Sequence, residues 1–227
     1  MKERVALFDF CETICKFQTA DRFVHFVRNR TRNQRCLYKW RLVSILRKIM
    51  IIPALTILFP KASINKRLIL WQLKGFYLDE LEKLALEYYV ACIKPKFIVP
   101  VISEMLAKQT DGYRIIIVSG GYDLYLKCFI RDFGVKDLIA TNIKIENGIC
   151  SGGFDGKDCL WENKIEMLKI YCEQHDIQID VEHSYAYSDS KTDLPLLSYV
   201  ANPVVVRRSD RPQNISLNNQ REIVWEN

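Results

Sequence analysis

Three apolar runs in this chain of 227 residues end in side chains that could do chemistry. Val5-Ala6-Leu7-Phe8 runs into Asp9, with Thr13 following in the same turn. Tyr113-Arg114-Ile115-Ile116-Ile117-Val118 runs into Ser119-Gly120-Gly121. Ser184-Tyr185-Ala186-Tyr187-Ser188 runs into Asp189, with Asp193 one turn further on, and Lys164 opens a helical stretch before it. A short apolar run that ends in a carboxylate reads as a buried parallel strand. In open α/β sheets the reactive groups lie outside the carboxyl ends of such strands. Hard carboxylate oxygens suit Mg²⁺, which takes one or two of them together with phosphate and water. An aspartate can also attack phosphorus. Ser119 and the Gly120 amide can hydrogen-bond phosphoryl oxygens, and Lys164 can neutralise charge left over by the cation. Taken singly, each has a plainer reading: a helix cap, a turn, a solvated lysine. Their occurrence together, in this order and at strand ends, favours phosphoryl transfer.

The elements that must position these groups follow an α/β pattern. Residues 4–9 read as the first strand. Helix is expected over 97–109, 123–134 and 161–174, the last with Ile165, Leu168 and Cys172 on one face. Leu138 to Phe154 reads as a strand pair turning at Glu146-Asn147-Gly148. Pro203–Val206 and Ile223–Trp225 read as short closing strands, with the polar stretch 208–221 as loop. Cys15 to about Pro95 reads as a helical insertion, with Lys61 to Ala91 its last helical part. Within it, Ile49 to Phe59 is too short for a spanning helix, which needs ~20 apolar residues. A buried hairpin of helices is the default expectation there. An element lying on a membrane surface is the sharper alternative.

The net charge of +6 hides an uneven distribution. Thirteen Lys or Arg and no Asp or Glu lie between Arg22 and Lys74, so the remainder carries −7 (6 − 13). A basic segment is thus set into an acidic body. The eight cysteines are scattered without metal-ligand spacing and read as reduced thiols. The chain enters a strand almost at once, so no signal peptide is expected, and a cytoplasmic location with peripheral membrane contact as the alternative is the expectation. His25, His175 and His183 read as structural.

The motifs together resemble the haloacid dehalogenase-like phosphohydrolases, in the branch containing phosphoserine phosphatase. Asp9-Phe10-Cys11-Glu12-Thr13 is similar to the first motif, normally Asp-x-Asp-Gly-Thr, and Val118-Ser119-Gly120-Gly121 to the second. Lys164, in Cys159-Leu160-Trp161-Glu162-Asn163-Lys164, is similar to the third, and Ser188-Asp189-Ser190-Lys191-Thr192-Asp193 to the fourth, usually Gly-Asp-Ser-x-x-Asp. The resemblance implies a Rossmann-like parallel-sheet core over residues 1–15 and 96–227, with a helical, basic cap over 16–95 inserted after the first strand. It implies Asp9 as a transiently phosphorylated nucleophile and Mg²⁺ held by Asp9, the Cys11 backbone carbonyl and Asp189. Asp193 would hold a metal-bound water or orient Lys164, while Thr13, Ser119, Gly120 and Lys164 would bind the substrate phosphate.

Cys11 is the departure that matters, because the family's second Asp protonates the leaving group and then activates water. A thiol, with pKa ~8.5 against ~3.9 for Asp, can donate a proton but is little ionised at neutral pH. The expected activity is a Mg²⁺-dependent phosphatase weakened at that step. The alternative is a phosphotransferase, or a catalytically weak protein whose cap binds an anionic partner. The cap's charge suits a small phosphorylated substrate or a phospholipid phosphate at an anionic membrane. Nucleic acid is not expected, since Arg28 to Arg41 with Tyr38 and Trp40 carries no known binding motif.

Overall fold

Val5 to Phe8 are wholly buried and form the central strand of the sheet. In the computed structural model, which describes residues 2–59, 62–212 and 214–226, the chain runs through sixteen helices and strands besides short 3-10 and π turns. After β1 (Val5–Phe8) come α1 (Thr19–Thr31), α2 (Gln34–Lys48), α3 (Ile51–Leu58), α4 (Ile64–Leu70), α5 (Leu78–Tyr88) and α6 (Val99–Thr110). Then follow β2 (Arg114–Tyr122), α7 (Asp123–Phe133), the hairpin β3 (Asp137–Glu146) and β4 (Ile149–Asp155), and α8 (Glu162–Gln174). The chain closes with β5 (Tyr185–Ser188), α9 (Leu194–Leu197), β6 (Asn202–Arg208) and β7 (Arg221–Trp225).

The seven strands lie in the order β4-β3-β2-β1-β5-β6-β7. All neighbours are parallel except β3 and β4. A parallel sheet must be covered on both faces, which explains why its strands read as continuous apolar runs. Ala6, Phe8, Ile115 and Ile117 face one core, and Val5, Leu7, Ile116 and Val118 face the other. Phe8 stacks on Tyr187 of the neighbouring strand, with ring centroids 4.0 Å apart. The mixed α/β class and mostly parallel sheet agree with the sequence expectation. The turn between β3 and β4 has positive φ at Asn147 (50°) and Gly148 (76°), which the Asn-Gly pair accepts.

The helical stretch between β1 and β2 is tied to the sheet by main-chain bonds. The Gly75 N–H donates to Cys150 O (2.9 Å), the Cys150 N–H to Phe76 O (2.8 Å) and the Leu78 N–H to Gly148 O (2.9 Å). This extended stretch therefore borders β4 as an added antiparallel edge. Gly152 permits the approach: its φ is +80°, and a Cβ there would lie 3.1 Å from Trp71 Cα.

One expectation is overturned here. The Ile49 to Phe59 run is not a buried hairpin. α2 and α3 do form a helical pair, but α3 buries only Ile52, and α2 only Cys36 and Val43. Ile57 is 78% exposed and Leu58 69% exposed. Nothing among the described residues covers that face, so an apolar run that reads as core stands in solvent. Lys61, with which the expected last helical part began, lies outside the described residues; α4 starts at Ile64.

Candidate active site

The carboxyl ends of β1, β2 and β5 lie side by side because these strands are adjacent in the sheet. The Asp9 N–H donates to Tyr187 O (2.9 Å), carrying the β1–β5 pairing one residue past the strand and fixing where the Asp9 side chain starts. The chain then turns back on itself, with the Ile14 and Cys15 amides both donating to Phe10 O at 2.9 Å. Glu12 sits in that turn at φ 59°, a conformation glycine adopts without strain and which costs other residues. Glu12 is held there by Gln18 Nε2 (2.8 Å) and Arg211 Nη1 (3.0 Å), which donate to its two carboxylate oxygens.

Lys164, though a lysine, is only 1% exposed. Its ammonium donates to Asp9 Oδ1 (2.6 Å) and Asp193 Oδ2 (2.7 Å). Burial alone would depress its pKa, but Asp9 and Asp193 outweigh burial and raise it, so the lysine is charged. The Ser188 hydroxyl, where the resemblance has glycine, also donates to Asp193 Oδ2 (2.6 Å). Thr13 is fully buried, and its hydroxyl lies between two carboxylates, 3.2 Å from Asp9 Oδ2 and 3.1 Å from Asp189 Oδ1, while accepting from the Asp189 N–H (3.1 Å). Thr13, expected as a phosphate ligand, thus also braces Asp9 against Asp189. Ser119 is likewise fully buried, with its Oγ accepting from the Gly121 N–H (3.0 Å). Gly120 lines the cleft in front of it, where a Cβ would fall 2.6 Å from Leu160 Cδ2.

The cleft has a volume of about 350 Å³. Asp9, Cys11, Lys164, Asp189 and Asp193 all line it, so the structure brings these five expected residues to one wall. Sequence reasoning missed Lys66, which lines the same cleft. That lysine reaches down from α4, donates to Gly120 O (2.5 Å) and Thr141 Oγ1 (3.0 Å), and pairs with Asp158. Trp161 also lines the cleft, held at φ 55° just before α8. No local pattern marks Lys66, because its partners lie far along the chain.

The Cys11 thiol meets Thr19 Oγ1 at 3.0 Å, and that hydroxyl lies 2.8 Å from Tyr125 OH. Burial and the nearby Asp9 push the thiol up to about 11. It is therefore protonated at neutral pH in the resting site and starts as a proton donor.

Burial raises Asp9 above the usual carboxylate range, with Lys164 opposing and Asp193 adding to the rise. Burial, Asp9 and Glu12 push Asp189 to about 8. Asp193 Oδ1 is buried with no hydrogen-bond partner. Asp9, Asp189 and Asp193 would carry three negative charges when ionised, against one positive charge on Lys164. Such a deficit fits a dication. No group of three or more Asp, Glu, His or Cys side chains among the described residues is spaced to enclose a metal by itself. Mg²⁺ does not require one, since it keeps several waters and binds through one or two carboxylates.

The raised carboxyls make stability depend on pH when divalent cations are withheld. A carboxyl raised in the folded state binds protons that the unfolded chain has released, so its favourable contribution is lost as pH climbs from about 4 through its folded pKa. In chelator, the melting temperature is expected to fall between pH 5 and about pH 8, the value of Asp189. At about 1.36 kcal/mol per pH unit and roughly 2–4 °C per kcal/mol for a chain of this size, the site-dependent part is at most roughly 7–15 °C. Parallel melts of Asp189→Asn read that part as a shallower pH slope. An unchanged slope would remove the raised carboxyl.

The fold and these motifs are those of the haloacid dehalogenase class. The chain belongs to the haloacid dehalogenase-like hydrolase family, whose model matches residues 6–198. Among curated proteins it is similar to the histidinol-phosphatase of Neisseria meningitidis, 30% identical over 118 residues, which is 49% of this chain and 53% of that protein. A probable phosphatase of Mycobacterium tuberculosis is 30% identical over 44% of this chain and 34% of its own length. The matches thus span about half or less of those relatives. Among solved structures, a Bordetella pertussis protein with unknown function superposes with a TM-score of 0.75 at 21% identity, covering 91% of each chain. A phosphoserine phosphatase, solved as a phospho-aspartyl intermediate analogue, superposes with a TM-score of 0.59 at 19% identity over 91% of this chain and 87% of that one. At such identities the likeness concerns the fold.

Proposed function

We propose that this chain hydrolyses phosphate monoesters through a covalent phosphate on Asp9. The observation that carries the reading is the buried Lys164 ammonium shared between Asp9 and Asp193 at the foot of the cleft. A buried lysine with two carboxylates is costly to assemble and has no packing purpose. It is what the charge spread over the three oxygens of a transferring phosphoryl group requires. Asp9, the Cys11 carbonyl and Asp189 would hold Mg²⁺, with Asp193 beside them, and the ion would supply charge neutralisation at the phosphoryl oxygens.

The chain's own residues then account for the proton and the bonds. An Asp9 carboxylate oxygen attacks phosphorus, and the bond from phosphorus to the ester oxygen breaks. That oxygen takes the Cys11 proton and leaves as an alcohol. Water attacks the phosphorus next, giving its proton to the Cys11 thiolate, and the bond to Asp9 breaks to release inorganic phosphate. Lys164 stays charged throughout and fixes the Asp9 carboxylate. Thr13 keeps Asp9 and Asp189 at a set separation. We read the helical stretch 16–95 as the cap that closes over the cleft and brings Lys66 and Thr19 to it.

The cleft suits a small phosphate ester, and the exposed α2–α3 hairpin keeps a phospholipid headgroup phosphate in the test as a second source. Phosphate release from an activated aryl phosphate, with Mg²⁺ and with chelator, tests the reaction itself. Wild type is expected to show metal-dependent release, and Asp9→Asn to lose it by at least ~10³-fold, since no nucleophile remains. Equal release by Asp9→Asn would overturn the covalent route. A soluble sugar phosphate and vesicles bearing a phosphorylated headgroup, assayed side by side, separate the two sources.

A further inference from the structure

We propose that the hairpin formed by α2 and α3 docks on the surface of an anionic lipid bilayer. On α2 and just beyond it, Tyr38, Leu42, Ile45 and Ile49 fall at spacings of four, three and four residues, which places them on one stripe. All four are exposed, and Cys36 and Val43, on the opposite face, are the buried residues of that helix. The stripe continues over the turn through Met50, 62% exposed, onto α3, where Ile51, Leu55 and Leu58 repeat the spacing and are also exposed. Helical geometry sets Arg41 and Lys48 along one edge of the stripe and Arg35 along the other, all three in solvent. An apolar stripe rimmed by cations on a hairpin too short to cross a bilayer is the pattern of an interfacial element. No helix among the described residues is long and apolar enough to span one.

Charge decides the occupant. No Asp or Glu lies between Arg22 and Lys74, so α2 and α3 carry no acid of their own. A second copy laid stripe to stripe would bring Arg35, Arg41 and Lys48 against their own kind. An anionic headgroup layer meets them with opposite charge while the stripe enters the acyl boundary. The hairpin also adjoins the cleft: Arg47, at the end of α2, lies 4.0 Å from Asp21, which lines it. Docking would hold the cleft mouth near the headgroups. This inference does not depend on the phosphatase reading.

The test is flotation of the full chain with vesicles of phosphatidylcholine alone, or with a third of phosphatidylglycerol, at low and physiological salt. Wild type is expected to float with the anionic vesicles, and weakly or not at all with phosphatidylcholine. Ile57→Asp/Leu58→Asp, which alters only exposed positions, is expected to weaken binding at least ~10-fold. Arg41→Gln/Lys48→Gln is expected to lose about fivefold per cation. Unchanged melting temperatures and unchanged hydrolysis of a soluble aryl phosphate show that neither pair acts through folding or the cleft. Absence of flotation on anionic vesicles overturns the proposal, as does equal flotation of both variants. A concentration-dependent dimer by light scattering, broken by Ile57→Asp/Leu58→Asp in a chain that does not float, would assign the stripe to a second copy instead.

Discussion

Lys164→Met is expected to reduce phosphate release at saturating substrate by at least ~10²–10³-fold, the usual effect of removing one preorganised donor to a developing oxyanion. The physical case is stronger than for an ordinary oxyanion donor. Lys164 is almost wholly buried at the cleft wall, and its ammonium holds both Asp9 Oδ1 and Asp193 Oδ2. Methionine is unbranched, one atom shorter and uncharged, so it fills most of the lysine's space and cavity formation contributes little. What remains is a group of carboxylates without its internal cation. Breaking a buried pair typically costs ~3–5 kcal/mol because the surviving charge is left uncompensated. Part of that is relieved when Asp9 and Asp193 take up protons. The melting temperature is therefore expected to drop by roughly 5–15 °C at pH 8 and by less at pH 5, where protonation is easier. Adding Asp193→Asn to Lys164→Met should recover stability without recovering turnover. That split separates a positioning charge from a merely structural one. Near-normal turnover in Lys164→Met would remove Lys164 from the site.

The parts of this site that were legible are those carried by short local runs. Each strand at the cleft is four to nine residues long and carries an apolar run that leads straight into its polar group. Asp9, Ser119, Asp189 and Asp193 could be placed at strand ends from that pattern alone, and Lys164 at the start of a helix. Their mutual distances could not. The Thr13 contacts with Asp9 and Asp189 could not be read either, because they depend on the turn that brings the two carboxylates together. Lys66 left no trace in the sequence. It is one cation among thirteen in a basic stretch, distinguished only by the fold that carries it to Asp158 and Gly120. The exposed hairpin misled for a different reason. Hydrophobicity reports a preference for leaving water without saying whether the chain supplies the cover, so Ile49 to Phe59 reads the same beneath a domain or on its surface. The Glu12 position is instructive in another way. The resemblance places glycine there, and the observed φ of 59° supplies the backbone reason, while Gln18 and Arg211 show what holds a glutamate in its place.

Cys11→Asp is expected to raise steady-state hydrolysis of an activated aryl phosphate at neutral pH by ~10²-fold or more, within the range usual for a general acid–base group. With the thiol pushed up to about 11, about one site in 10⁴ carries a thiolate at pH 7. An alkyl ester avoids that shortage. Its leaving oxygen takes the Cys11 proton in the first half-reaction and so creates the thiolate that the second half-reaction needs. An aryl leaving group departs as a stable phenolate and leaves the thiol protonated, so water meets the Asp9 phosphate without a base. Wild type should therefore release a burst of phenolate approaching one equivalent per site, followed by a slow phase that accelerates as pH rises toward the thiol's pKa. In Cys11→Asp the carboxylate is ready in both halves, so the burst should vanish and the rate should lose its rise at high pH. Cys11→Ala should keep the burst while losing turnover of alkyl esters. Rapid-quench measurement of phenolate and phosphate, on all three proteins and across pH, reads each of these directly. Should Cys11→Asp show no gain and wild type no burst, the thiol is not what limits this enzyme. The aspartate also places a further carboxylate beside Asp9, so in chelator Cys11→Asp should melt below wild type, and Mg²⁺ should raise its melting temperature more than it raises that of wild type.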